Sequence, residues 1–258
     1  RRVATPLDAD VGYHRPMEIS PPIGYGEVIP LQRNQRVLLP EEGSVPPFFR
    51  HSNAIPVTFA EFPAACHHYP LAFVRAGAGT ETLPVAVLGL KTGQNLFVSP
   101  EGRWQAGAYY PAYGRRHPFC MARVSGEPGA QRLVCVERAA LDDRQGTPLF
   151  DADGEPVPAW QRIHGLLEEY EADLARTREL CDILSSLNLL EPVTVQAVPA
   201  HQPPFHLDGM FRIAENRLET LRAEDLRLLL RKGAMGRIYA HLLSLDHFVR
   251  LLDRATAH

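Results

Sequence analysis

The sequence has no CxxC or CxxxC pair, no GxxxxGK[ST] loop, no GxSxG elbow and no HExxH helix. These absences exclude the zinc sites, nucleotide loops, hydrolase elbows and zinc proteases that such spacings build. No apolar run approaches the ~20 residues of a membrane-spanning helix, so no membrane insertion is expected. The opening RRVATPLDAD lacks the apolar segment of a secretory signal, which makes a reducing cytoplasm the expected location. Charge is also nearly absent in sum: Lys+Arg 27 against Asp+Glu 30 gives a net −3. A chain so balanced has no global field to gather nucleic acid or anionic lipid, and any anion site must be local.

What is present is ordinary globular composition, 45% hydrophobic and 22% charged, with 23 prolines that imply many turns and ordered connections. The four cysteines, Cys66, Cys120, Cys135 and Cys181, are far apart among apolar residues and read as buried thiols. A hairpin can bring Cys120 opposite Cys135, but spacing leaves its register open. Residues 1–26 show no sustained period and read as an extended or flexible arm. Residues 27–258 read as one α+β domain, β-rich to 157 and helix-rich after it.

Within that domain, Thr58 and Glu61 have capping-box spacing and predict a short helix to about His68. Strands are predicted at EVIPLQ, QRVLLP, 71–75, 83–90, 96–99, 119–124 and 133–137, joined by connections too short for parallel returns, hence an antiparallel, meander-like sheet. From Trp160 to Leu184 apolar residues recur at alternating steps of three and four, which predicts a helix over 158–188. EPVTVQAV predicts a strand and HQPPFHLDG a turn-rich link. Helices follow at 215–221, 223–232 and 235–255, the last with Ile238, Leu242, Leu245, Phe248, Val249 and Leu252 inward. The three-four stripe of the long helix over 158–188 serves a monomer core or the seam of a homo-oligomer equally well.

The densest recognition-type cluster is Trp104, Tyr109, Tyr110, Tyr113, Arg115, Arg116 and His117. Aromatic rings with arginines stack on peptides, and paired guanidiniums grip carboxylate or phosphate. The alternative is that the rings cap the open end of a sheet. His206-Leu207-Asp208 has the HxD form that supplies two members of a non-haem iron triad, with His241 or His247 as a distal third. Against this, Asp208-Gly209 reads as a turn. His241 and Ser244 share a helix face, as a base and nucleophile would, or as a polar seam between helix and sheet would. The leading expectation is a binding or accessory protein with no cofactor, and the rival is a metal-dependent oxygenase or other enzyme acting on a peptide or amino acid.

Several linked segments carry a resemblance: HYPLAFV, PVAVLGLKTGQNLFV, GRW, YYPAYGRRHPF, LVCVE, PLFDADGEP and IYAHLLSLDHFVRLL. In this order, over 27–254, the chain resembles bacterial SapC-like proteins. The resemblance implies an association with surface-layer gene clusters and neighbours that include flavin-dependent, tryptophan-halogenase-like and cupin-like enzymes, which are the expected partners beside a peptide. It brings no established catalytic residues. The tyrosine usual after the paired arginines is His117 here, a departure that removes any role needing a phenol at that place.

Overall fold

The three-four spacing between Trp160 and Leu184 is realised as one helix of 29 residues, Pro158–Ser186. The computed structural model describes residues 19–76, 81–123, 132–197 and 205–257. In chain order the strands are β1 (Val28–Pro30), β2 (Arg36–Val37), β3 (Ala54–Pro56), β4 (Leu71–Arg75), β5 (Thr82–Val87), β6 (Phe119–Arg123), β7 (Arg132–Glu137), β8 (Thr147–Pro148), β9 (Leu190–Ala197) and β10 (Phe205–Ile213). The helices are α1 (Phe62–Ala65), α2 (Ala112–Arg115), α3 (Pro158–Ser186), α4 (Glu215–Leu218), α5 (Ala223–Arg231), α6 (Ala234–Ser244) and α7 (His247–Ala257). All strand pairs are antiparallel and the helices dominate the second half, so the architecture is mixed α+β. The described residues divide into two compact units, 19–42 with 116–171 and 43–115 with 172–257; α3 contributes to both.

The first unit holds a sheet in the order β1-β7-β6 and a two-stranded ladder of β2 with β8. Cys120 and Cys135 are direct partners across β6 and β7, which answers the register question that spacing left open, and both thiols are free. Phe119 and Val136 face a core with Leu31, Leu149, Trp160 and Leu167. Each such side chain contributes roughly 1.5–3 kcal/mol when taken fully from water. Phe119 and Trp160 meet ring to ring at 5.4 Å, fastening the first turns of α3 to the sheet.

The second unit is built on a five-stranded sheet, order β3-β5-β4-β10-β9. Its centre is not a simple meander, because β10 enters beside β4 from far along the chain. The predicted turn-rich link HQPPFHLDG is therefore corrected in part: strand begins at Phe205 and runs to Ile213. The Asp208-Gly209 turn is a bulge within that strand, between Leu207 and Met210, with Gly209 at φ 78°. Glycine takes this left-handed geometry without Cβ strain, so an apparent turn signal sits inside a ladder. Predicted strand 96–99 is not one either; it keeps a single bridge, Val98 to Trp104.

The final helix predicted over 235–255 is two, α6 and α7, separated at Leu245 and Asp246. There the backbone closes bonds three residues back, Leu245 to Leu242 and Phe248 to Leu245. Ser244 Oγ takes the His241 carbonyl at 2.6 Å, competing for an acceptor the α ladder would use. Beyond the break Val249 faces solvent and Leu251 is buried, so the predicted inward face fails at Val249, while Phe248 and Leu252 are partly buried.

Among the described residues no helix is long and apolar enough to cross a membrane.

Candidate functional site

Glu61 anchors the segment that carries most of the predicted recognition residues. The expected capping box forms: Thr58 donates to Glu61 Oε2 from its backbone N–H at 2.8 Å and from its hydroxyl at 3.0 Å. The other oxygen, Oε1, accepts the Tyr109 hydroxyl at 3.0 Å and the Ala112 N–H at 2.7 Å. One buried carboxylate thus ties the turn after Thr58 to the start of α2. That turn is also held by α3, where Asp173 Oδ2 accepts the Ala60 N–H at 2.6 Å and Thr177 Oγ1 the Phe59 N–H at 2.8 Å.

The aromatic members of the cluster are mostly interior. Trp104 is 8% and Tyr113 5% exposed. Trp104 stacks on Phe97 at 6.1 Å, leans on Tyr110 at 5.1 Å, and donates from Nε1 to the Tyr109 carbonyl at 3.2 Å. The Tyr69 hydroxyl donates to the same carbonyl. Gly114 lies where a Cβ would fall 2.6 Å from both the Phe49 ring and the Tyr110 ring, so only glycine lets α2 settle on them. Burial pushes the Tyr109 and Tyr110 phenols above their ordinary range, with the Glu61 charge adding to the rise at Tyr109 and the Arg115 charge opposing it at both. Both phenols stay protonated at neutral pH, and that of Tyr109 donates to Glu61.

Arg115 is the exposed member. Its Nε donates to the Tyr110 carbonyl at 3.1 Å and its Nη2 to the Tyr109 hydroxyl oxygen at 3.1 Å, with the guanidinium 5.8 Å from the Tyr109 ring centroid. Arg116 and His117 belong to the first unit. There Arg116 is 5% exposed, lying 4.4 Å from the Tyr170 ring centroid and 5.5 Å from that of Tyr25. His117 Nε2 meets Glu137 Oε2 at 2.6 Å, while Glu137 Oε1 accepts the Gly26 N–H. Burial pulls the His117 imidazole below its ordinary value; the Glu137 contact raises it and Arg116 lowers it. Seven residues that lie close together in sequence therefore divide between two units, and their exposed charge is Arg115.

The HxD residues are placed as follows. Asp208 is exposed on the β10 bulge and accepts the Thr194 hydroxyl at 2.9 Å. His241 is wholly buried against Phe73, with its Nε2 accepting the Ile213 N–H at 3.0 Å. An imidazole nitrogen so engaged is not free to ligate. The His206 side chain lies outside the described residues. Among those residues no three His, Cys, Asp or Glu side chains gather as a metal would require. Ser244 Oγ accepts the Leu71 N–H at 2.9 Å while donating to the His241 carbonyl. His241 and Ser244 thus hold α6 to β10 and β4, the polar seam that was one of the two sequence readings.

A cavity of about 260 Å³ opens in the second unit between the chain after α1, the 105–108 loop and α7. Its lining includes His67, His68, His247, Arg250 and Arg254. No sequence pattern joins these five residues, and the fold brings them together. The usable signal was the i, i+3, i+7 spacing of His247, Arg250 and Arg254 on one helix face.

Against known proteins, the family model described as SapC matches residues 39–251. No curated protein and no solved structure matches the chain.

Proposed function

The chain belongs to the SapC family, and we propose that it acts as a cytoplasmic accessory protein that binds an acidic peptide segment or the acidic surface of a partner enzyme. The observation that carries this reading is the fixed, exposed guanidinium of Arg115, held by Tyr110 and Tyr109. Two of its nitrogens are used internally, and the side chain is exposed, so a carboxylate can take the remaining donors. An arginine whose rotamers are already restricted gives up less entropy on binding than a free one. The Tyr109 and Tyr110 edges beside it are half-buried and supply contact area with little freedom to lose. The buried Trp104 and Tyr113 act in this reading as the platform under the surface rather than as contacts.

The test is a pull-down and a titration with the flavin-dependent halogenase-like and cupin-like enzymes that the family resemblance offers as candidates, together with an acidic peptide library. Wild type is expected to retain a partner that Arg115→Ala loses, by about tenfold or more in affinity for one charge-assisted contact. Equal recovery by the two proteins would overturn the reading.

A further inference from the structure

The cavity beside α7 is lined by two guanidiniums and three imidazoles and carries no carboxylate. Arg250 and Arg254 stand one turn apart on the helix, His247 precedes them, and His67 and His68 approach from the end of the α1 segment. Among the described residues neither arginine is in an ion pair with an acid. Arg250 Nη1 instead lies 3.4 Å from His247 Nδ1, and Arg254 Nη1 donates to the Gln105 side-chain oxygen. Arg254 is laid over the Phe97 ring at 4.4 Å, which fixes the plane of its fork and leaves donors at its edge. In a chain whose net charge is −3, this is a strong local concentration of positive charge around a concave space. Like charges grouped without acids repel one another, and an anion in the cavity removes that repulsion.

We propose that this cavity binds a small dianionic oxyanion, the phosphate group of a monoester or a short dicarboxylate, between Arg250 and Arg254 with the imidazoles as further donors. Two permanent guanidinium charges match a charge of minus two. Loop 105–108 closes one side, and Gly107, at φ 77° with open space where a Cβ would stand, brings bare backbone to the rim. The imidazoles add adaptability. Burial and neighbouring cations hold His68 and His247 below their ordinary value, with His67 acting on His68, and Arg250 and His68 acting on His247. The Cys66 backbone contact and the Asp246 carboxylate oppose this at His247.

This site shares no residue with the Arg115 surface, so its titration and the partner pull-down fail or succeed separately. The experiment is calorimetric titration of the whole protein with inorganic phosphate and with succinate at constant ionic strength, chloride being the blank. Saturable binding of one or both is expected, and which of them binds tells the phosphate source from the carboxylate source. Arg250→Gln, at an exposed position, is expected to keep the wild-type circular dichroism spectrum and to weaken binding about tenfold, as the loss of one charge-assisted hydrogen bond does. Arg227→Gln removes the same charge from an exposed site on α5 and is expected to leave binding unchanged. Absence of saturable heat with both anions, or equal weakening by the two variants, overturns the proposal.

Discussion

The Tyr109 hydroxyl donates to Glu61 across 3.0 Å, and the same carboxylate closes the cap that opens at Thr58. Glu61 is 4% exposed, with four donors on its two oxygens. Removing one of them differs from removing the acceptor. Tyr109→Phe is expected to cost about 1 kcal/mol, the ordinary net value of one hydrogen bond. Glu61→Ala leaves several buried donors unsatisfied and is expected to cost about 3 kcal/mol or more. Urea denaturation of the two variants beside wild type checks the order; near-equal losses would show that the carboxylate does not organise the segment.

Arg115 and Arg116 are adjacent and have opposite expected phenotypes. Arg115→Ala removes an exposed side chain and is expected to leave stability within about 1 kcal/mol. Arg116→Ala removes a buried guanidinium from beside Tyr170 and Tyr25, and the lost stacking and the gap are expected to cost about 2 kcal/mol or more. Thermal unfolding of each single variant separates them. A stable Arg116→Ala protein would mean that its ring contacts contribute little.

The elements whose side chains repeat with one period were legible in the sequence. The α3 stripe, strand 71–75 and the Thr58–Glu61 cap all rest on local chemistry, and all three form where spacing places them. Misreadings arose where a local signal served a distant partner. Gly209 marks a bulge whose ladder is supplied by β9 and β4, and the α6 to α7 break depends on Ser244 reaching Leu71 on another element. The candidate site failed to be legible for the same reason: an aromatic cluster dense in sequence is sorted by burial only after Phe49, Tyr69 and Phe97 arrive from elsewhere. The cationic cavity assembles from three segments that no single window of sequence contains.

The four thiols are expected to react in two groups. Cys120, Cys135 and Cys181 are buried, whereas Cys66 is partly exposed. Burial raises Cys66 and pushes Cys181 up to about 12. Cys120 and Cys135 share one cross-strand hydrogen bond that lowers the first and raises the second. Access rather than thiolate fraction separates the groups, since only Cys66 is partly exposed; a brief iodoacetamide pulse on the native protein is expected to add one label, at Cys66, and to add labels at all four in urea. Rapid native labelling of Cys120 would show that the β6 to β7 pair opens readily.

His241 makes stability depend on pH. Burial pushes its imidazole down to about 4 from 6.5, against a smaller raising effect of the Leu71 backbone. The Ile213 N–H occupies Nε2, so the ring's proton sits on Nδ1, and charging it requires breaking that bond. In the unfolded chain the imidazole protonates near pH 6.5, and in the folded chain only near pH 4. The unfolded state therefore binds more protons between these values, and stability falls as pH falls through that window. The full loss is roughly 3 kcal/mol by linkage. Other acids and histidines titrate in the same range, so the measurement is a difference. His241→Gln keeps an acceptor for Ile213 without a titrating group, and urea unfolding at pH 7 and at pH 4 is expected to show a smaller acid loss in the variant by that amount. An identical pH dependence in the two proteins would mean that His241 is already charged within the fold.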